Sequence, residues 1–162
     1  MNNDVELYEN VLSEEDRLTL LRTSMHYMKR VYQSPGLQTE PDFHLKLKEL
    51  NQFSILQKII KKTNIDKKIE MCWGNYTDKE EQYINWHTHN YYHGLKSPSR
   101  RHIVYYIHNP EEKGTWFNTD GEITKLNAKE NSMIVIPNHL VHSVPSDITK
   151  PRVSIAIDFK DC

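Results

Sequence analysis

Three of the nine histidines are spaced as metal ligands would be. His87 and His89 lie two residues apart in the segment Tyr-Ile-Asn-Trp-His-Thr-His, which spans 83–89. If this segment is a strand, its side chains alternate between two faces, so both imidazoles point the same way and can converge on one ion. His142 comes several expected strands later, and a closed sheet would bring it beside the pair. Imidazole nitrogens are common ligands of iron, zinc and copper.

A His-x-His pair on a strand is, by itself, more often two exposed or hydrogen-bonded histidines than a metal site. Arg152 and Ser154 favour the metal site, because they follow His142 and share one face of a single expected strand. An arginine buried near a metal needs an anion, and a dicarboxylate can pair with its planar guanidinium. The competing interpretation of Arg152 is a structural ion pair with a carboxylate such as Asp147 or Asp158.

The other histidines have weaker claims. His139, three residues before His142, competes with it as a ligand, but strand alternation and the following Ser-Val-Pro favour His142. His26 and His44 fall in the helical part of the chain and are expected to be structural or exposed. The remaining histidines have no assigned role, although the first of them follows the His-x-His pair closely enough to reach the site: His93, His102 and His108.

Helices are expected before the metal motif. Ser13 is a suitable N-cap, and three acidic residues follow it in the first turn, where the helix dipole favours them. Apolar residues then recur at helical spacing: Leu18, Leu21, Met25, Met28 and Tyr32. Pro35-Gly36 is expected to end this helix. A second helix is expected from about Asn51, with Phe53, Leu56 and Ile60 on its buried side.

From Ile69 onward the pattern changes to short extended runs rich in β-branched and aromatic residues. We expect strands at 69–77, 81–89, 102–108, 114–118, 122–126, 132–137, 141–145 and 152–159. Eight short strands behind two helices predict a mainly β fold, a double-stranded β-helix (jelly-roll) core buttressed by two N-terminal helices. The whole chain, 1–162, is expected to form a single domain, with a helical buttress at 1–68 and the β core at 69–162.

Composition narrows the class of protein. The hydrophobic content of 37% is enough for one core, and the formal net charge of −1 gives no strong signal for nucleic-acid binding. The two cysteines, Cys72 and Cys162, cannot form a disulfide framework or a cysteine zinc cluster. A polar, acidic N-terminus and the lack of a long apolar run predict a cytoplasmic protein without a membrane span.

These motifs resemble those of the Fe(II)/2-oxoglutarate-dependent oxygenase superfamily, in particular small microbial and phage members with a His-x-His first motif. The resemblance runs from Cys72 to the C-terminus. Its matching pieces, in order, are 87–89, 104–110, 114–117, 136–137, 142–145 and 152–154. Each piece is weak alone, whereas their order and spacing together are fairly specific.

The resemblance implies a hydroxylase whose iron is held by His87, His89 and His142. It further implies that Arg152 and Ser154 bind the far carboxylate of the 2-oxoglutarate cosubstrate, with Asn75 or Tyr76 as an additional contact. Molecular oxygen and an unidentified substrate would be the partners, and a protein side chain, an amino acid or a nucleotide all fit. Tyr91, Tyr92 and His93 are expected to border the substrate entrance. The basic residues of the same loop either attract an acidic or phosphorylated substrate or are simply solvated: Lys96, Arg100 and Arg101.

One departure leaves alternatives open. Most of the superfamily has an acidic residue where this chain has His89, which gives two histidines and one carboxylate around the iron. His89 is therefore either a neutral third ligand or no ligand, leaving a position for water or halide as in the halogenase branch. The His-x-His and distal histidine also resemble the cupins, including three-histidine iron dioxygenases that act on thiols. A non-catalytic jelly-roll module, a binding or viral structural protein, is the third alternative.

Overall fold

The computed structural model describes residues 4–30, 36–78, 86–89 and 101–160. Within them the helices are α1 (Glu14–Tyr27), α2 (Phe43–Glu49) and α3 (Phe53–Lys61). The strands, in chain order, are β1 (Glu6–Tyr8), β2 (Lys29–Arg30), β3 (Leu37–Gln38), β4 (Ile69–Thr77), β5 (Arg101–His108), β6 (Lys113–Thr119), β7 (Glu122–Asn127), β8 (Ser132–Pro137), β9 (His142–Ser143) and β10 (Arg152–Phe159). The fold is mainly β with helices near the N-terminus, as predicted.

The strands form two antiparallel sheets. The larger has seven strands in the order β1-β8-β5-β10-β4-β3-β2, and the smaller has three in the order β7-β6-β9. β10 is central in the larger sheet, since β4 and β5 pair with it on either side. An isolated bridge joins His87 to His142, so the segment 86–89 meets the end of β9.

The larger sheet is covered on both faces, and successive side chains of each strand alternate between these two faces. Val153, Ile155 and Ile157 of β10 pack into the cluster that includes α1, α2 and α3. Val104 and Tyr106 of β5 face the other way and pack against Phe117 and Leu126 of the smaller sheet. Every residue of β10 is therefore buried, and its even-numbered residues face the space between the sheets.

The predicted helix ends were partly wrong. Ser13 caps α1 as expected, since its Oγ accepts a hydrogen bond from the backbone N–H of Asp16 at 3.2 Å. However, α1 ends at Tyr27, because the chain turns extended at Met28 and enters the β2–β3 hairpin. The buried face is Arg17, Leu20 and Ser24, which shifts the expected stripe around the helix and leaves Met25 exposed.

The buried side of α3 was predicted only in part: Leu56 is buried as expected, whereas Phe53 and Ile60 are half-buried. Ile55 and Ile59 are the other buried residues of this helix. Tyr32 and Pro35 lie outside the described residues. Across the described ranges, no helix is long and apolar enough to cross a membrane.

The predicted strand 69–77 and all those from 102 onward occur, three of them with the expected bounds, at 69–77, 132–137 and 152–159. Residues 81–85 of the expected strand 81–89 lie outside the described residues. The sequence analysis missed α2 and the three short strands β1, β2 and β3. These strands have two or three residues each, which is too short for a periodic pattern.

Asn131 fastens the segment before α1 to the larger sheet. Its Oδ1 accepts hydrogen bonds from the Leu12 N–H at 3.0 Å and the Tyr105 hydroxyl at 2.8 Å, and its Nδ2 donates to the Leu12 carbonyl at 2.9 Å. Its φ of 60° lies in the left-handed region, which asparagine tolerates better than most residues. One side chain therefore satisfies both backbone groups of Leu12.

We predict that Asn131→Ala lowers the free energy of unfolding by about 2–4 kcal/mol, since it leaves partly buried polar groups without partners. Asn51→Ala is the matched control, because Asn51 has a φ of 57° but is exposed. We expect this control to lose about 1 kcal/mol of unfolding free energy, which is the cost of placing alanine in the left-handed backbone conformation. Urea denaturation of both variants measures the difference. Equal losses would show that the Asn131 hydrogen bonds contribute no net stability.

Candidate active site

A cavity of about 580 Å³ opens between the two sheets. Strands β3, β4, β5 and β10 of the larger sheet line one side, and β6 and β9 of the smaller sheet contribute to the other. All three histidines singled out by their spacing line it, as do Arg152 and Ser154. The even-numbered residues of β10 thus face the same space as the histidines.

Backbone pairing brings the three histidines together. His87 and His142 exchange two N–H to carbonyl hydrogen bonds, both of 3.0 Å, and the N–H of His89 donates to the Asn138 carbonyl at 2.8 Å. As a result, one ring nitrogen from each of His87, His89 and His142 lies within 4.8 Å of the others. His89 and His142 are buried and His87 is half-buried.

The hydrogen bonds of two of these rings assign their tautomers. His142 Nδ1 lies 2.8 Å from the Leu140 carbonyl oxygen, which can only accept, so Nδ1 carries the proton. His89 Nδ1 lies 2.9 Å from Asp158 Oδ2 and donates to that carboxylate. Both lone pairs therefore reside on Nε2, and the two Nε2 atoms face each other at 3.2 Å.

Two lone pairs at this separation suit a shared cation better than a hydrogen bond. Ligand nitrogens bound at about 2.1 Å and at right angles to each other would be about 3 Å apart. The pair His89 and His142 thus fits a first-row metal ion by its tautomers and by its spacing. The third nitrogen, from His87, completes a set that such ions prefer.

Burial keeps the imidazoles of His89 and His142 neutral, as metal binding requires. Desolvation, with a smaller effect of nearby His102, lowers the pKa of His89 to about 4, against the opposing effect of Asp158. Desolvation also holds the pKa of His142 well below its usual range. The pKa of Asp158 is lowered by His102 and His89, which outweigh the effect of its burial.

The sequence analysis missed Asp158 as a residue of the site and left His102 without a role. Asp158 is 3% exposed and accepts from His89 through Oδ2 and from His102 Nδ1 through Oδ1, at 2.9 and 2.6 Å. The available signal was strand parity, since Asp158 shares a face of β10 with Arg152 and Ser154. A charged residue in an otherwise apolar, fully buried stretch of strand requires a partner.

Arg152 is buried in the same cavity with an incomplete set of partners. Its Nε donates to the Lys113 carbonyl at 3.1 Å and its Nη2 to the Gly114 carbonyl at 3.4 Å, while the Tyr106 ring lies 5.1 Å from Cζ. Its Nη1 is buried without a hydrogen-bond partner. Burial lowers the pKa of Arg152, against the opposing effect of Tyr106.

The structural ion pair considered for Arg152 does not occur among the described residues. Asp158 binds the two histidines, and Asp147 pairs with Lys113 at 3.8 Å. A buried guanidinium with an unpaired N–H group is unfavourable unless an acceptor comes from elsewhere. A carboxylate ligand in the cavity would supply that acceptor.

The remaining predicted cosubstrate contacts differ in placement. Ser154 and Asn75 are paired across β10 and β4 and both line the cavity, where Asn75 Oδ1 accepts from Gln38 Nε2 at 2.7 Å. Tyr76 borders the cavity as well, but it packs against the helix-side core and its hydroxyl donates to Asp78 at 3.4 Å. Asn75 is therefore the better placed of the two.

Other sequence-based candidates lie apart from the histidine group. His139 does not line the cavity, whereas His142 does. His26 is exposed on α1 and His44 is buried on α2. Arg101 begins β5 and donates to the Asp4 carbonyl at 3.2 Å. The other residues singled out in this loop lie outside the described residues: Tyr91, Tyr92, His93, Lys96 and Arg100.

No family model and no curated protein matches the sequence, but solved structures match the fold. HygX from Streptomyces hygroscopicus, with nickel, 2-oxoglutarate and hygromycin B bound, aligns with a TM-score of 0.68 and 11% identity over 96% of this chain and 82% of that one. HygX with iron bound aligns with a TM-score of 0.64 and 11% identity over 96% of this chain and 81% of that one. A third match is the 2-oxoglutarate complex of vCPH, the viral collagen prolyl hydroxylase from Paramecium Bursaria Chlorella virus-1. It aligns with a TM-score of 0.62 and 17% identity over 99% of this chain and 97% of that one.

These likenesses confirm the predicted fold class. The chain has the jelly-roll fold that is found in 2-oxoglutarate- and Fe(II)-dependent oxygenases. At identities of 11% and 17%, the similarity shows the fold and leaves the chemistry to the residues of the site.

We predict that the metal-free protein loses stability as the pH falls from about 6.5 to about 4. Histidines of the unfolded chain have the ordinary imidazole pKa of about 6.5, whereas the pKa of folded His89 is about 4. Stability is therefore fully present above about 6.5 and declines below it, by up to about 1.4 kcal/mol per pH unit for each such group.

Urea denaturation in the presence of a chelator, repeated across this pH range, measures the slope. His89→Gln should flatten it, because that variant removes one of the groups held neutral. His26→Gln, at an exposed position on α1, should leave the slope unchanged. An identical slope in wild type and His89→Gln would contradict the assignment of a neutral, buried His89.

Proposed function

We propose that this protein is a non-haem Fe(II), 2-oxoglutarate-dependent oxygenase, a dioxygenase that hydroxylates a substrate not yet identified. The observation that carries the proposal is a buried arginine with an unpaired N–H group, in one cavity with three converging histidines. The first feature suits an anionic ligand and the second suits a metal ion. A dicarboxylate cosubstrate that also chelates the metal would satisfy both.

In this proposal His87, His89 and His142 hold the metal. Their ring nitrogens are close enough to share one ion, and hydrogen bonds hold His89 and His142 in the tautomer that presents Nε2. Fe(II) and 2-oxoglutarate, when bound, would activate molecular oxygen and so supply the oxidising power that imidazole and guanidinium groups lack. The protein contributes by orienting the ligands and excluding water from the cavity.

Arg152 and Ser154 would bind the far carboxylate of 2-oxoglutarate. Lys113 and Gly114 fix the guanidinium through their carbonyl groups, so that Nη1 is the arm left for a ligand. Asn75 faces the same cavity from β4 and would add a hydrogen bond. The rigid placement of the arginine favours a planar, two-point contact with a carboxylate.

The proposal leaves the substrate as a protein side chain, an amino acid or a nucleotide. HygX holds hygromycin B and vCPH is a collagen prolyl hydroxylase, so similar folds accept unlike substrates. We also propose a reducing, cytoplasmic setting, supported by the buried free thiol of Cys72.

Arg152→Lys is predicted to weaken 2-oxoglutarate binding by about ten- to more than a hundredfold. Lysine keeps the positive charge but loses the planar fork, and it cannot keep both carbonyl contacts and reach a carboxylate. Affinity for the metal should be nearly unchanged, because Arg152 is not one of the proposed metal ligands. Anaerobic calorimetry with Fe(II)-loaded protein and 2-oxoglutarate measures both effects.

Arg101→Lys is the matched control, since Arg101 does not line the cavity. It should bind 2-oxoglutarate as wild type does. A structural arginine would instead give Arg152→Lys a lower melting temperature with unchanged cosubstrate affinity, which would contradict the proposal. A three-histidine dioxygenase of the cupin type would bind a thiol substrate and show no dependence on 2-oxoglutarate in either protein.

A further inference from the structure

Among the described residues, one buried carboxylate lies directly behind a histidine of the predicted metal site. Asp158 Oδ2 is 2.9 Å from Nδ1 of His89, on the side of the ring opposite to the Nε2 atom that faces His142. The other oxygen, Oδ1, is 2.6 Å from Nδ1 of His102. All three side chains are buried, with 3% of His89, 1% of His102 and 3% of Asp158 exposed.

We propose that Asp158 is a positioning residue that makes His89 a metal ligand and supplies the negative charge which His89 itself lacks. This inference rests on the proposed function, since it concerns the same metal site. His89 would act with Asp158 as one unit, in which the carboxylate fixes the tautomer and increases the basicity of Nε2.

The first argument concerns charge. Two histidines and a carboxylate reduce the charge of a divalent ion by one, whereas three neutral imidazoles leave it unchanged. Asp158 restores that single negative charge one imidazole ring away from the ion. Because the whole group is buried, the interaction is screened much less than it would be at the surface.

The second argument concerns orientation. The ring of His102 stacks on that of His89 with centroids 3.7 Å apart, and the ring of Trp73 stacks on His89 at 5.6 Å. Asp158 bonds to both histidines and is held by the backbone of β10, the central strand that also carries Arg152. One rigid strand therefore sets the position of both the proposed metal ligand and the proposed cosubstrate anchor.

A carboxylate that accepts from two imidazoles can keep both in the same tautomer, and an amide cannot. An asparagine at 158 offers one oxygen to accept and one NH₂ group to donate, so one of the two rings would have to present a lone pair from Nδ1. If His89 changes in this way, the proton moves to Nε2 and blocks the ligand position. The effect of Asp158→Asn is therefore specific and differs from a general loss of packing.

We expect Asp158→Asn to bind Co(II) about 10- to 100-fold more weakly than wild type. Asp147→Asn is the control, because Asp147 lies in the β9–β10 connection with its side chain half exposed. It should bind Co(II) as wild type does. Competition with a chromophoric chelator gives the affinities, and melting curves check that each variant is folded.

Nitrogen-15 NMR of histidine-labelled, metal-free protein gives a readout that requires no variant. Wild-type His89 and His102 should both be protonated on Nδ1, and Asp158→Asn should change one of them. A wild-type His89 protonated on Nε2 would overturn the proposal even if Asp158→Asn failed to fold.

A double variant tests whether the charge can be relocated. His89→Asp alone places two carboxylates side by side and should destabilise the metal-free protein. His89→Asp combined with Asp158→Asn returns one carboxylate to the ligand position, and its Co(II) affinity should recover from that of Asp158→Asn towards that of wild type.

The failure of this inference can be told apart from failure of the proposed function. If wild type binds no divalent metal, the oxygenase proposal fails and this one fails with it. If wild type binds Co(II) and Asp158→Asn binds it equally well with the tautomers unchanged, only the role of Asp158 is refuted.

Discussion

The site depends on a strand that is buried on both faces. β10 lies at the centre of the larger sheet, with apolar residues packed against the helices and Arg152, Ser154 and Asp158 on the face towards the smaller sheet. The polar side chains on that face are almost completely buried, and an uncompensated charge there would cost several kcal/mol. Each must therefore find a partner inside the cavity. Asp158 finds two histidines, whereas Arg152 retains a buried N–H group without one.

This contrast links stability to function. Both oxygens of the Asp158 carboxylate accept hydrogen bonds from histidine rings of the site, so this side chain organises the histidines. The guanidinium of Arg152 has an N–H group without a hydrogen-bond acceptor, and a bound anion can supply that acceptor. The cavity of about 580 Å³ that Arg152 and the three histidines line gives room for a small dicarboxylate together with part of a substrate.

Much of the β core could be predicted from the sequence, because turn residues bracket runs of β-branched and aromatic residues. The bounds of β8 and β10 follow from that pattern. The helix α2 could not be predicted in this way, because its sequence, Phe-His-Leu-Lys-Leu-Lys, alternates between apolar and polar residues as a strand would. Tertiary packing of Phe43 and Leu47 makes this segment helical. Strands β1, β2 and β3 are too short to show any period and exist only through pairing with their neighbours.

The site was predictable to the extent that its residues share a strand or a short motif. Parity places His87 with His89, and Arg152 with Ser154. The contact between His89 and Asp158 spans 69 positions and depends on how β10 lies against the segment 86–89, which no local pattern encodes. The departure from a His-x-carboxylate motif therefore looked like a missing charge in the sequence, and it is the fold that returns a carboxylate to the site.

The central claim is that one cavity binds Fe(II) and 2-oxoglutarate together, and an anaerobic optical titration tests it most directly. Wild-type protein loaded with Fe(II) would be titrated with 2-oxoglutarate while the visible spectrum is recorded. The account predicts a weak charge-transfer band that saturates with the cosubstrate and is absent when either component is omitted. A spectrum that stays unchanged at saturating Fe(II) and 2-oxoglutarate would contradict it.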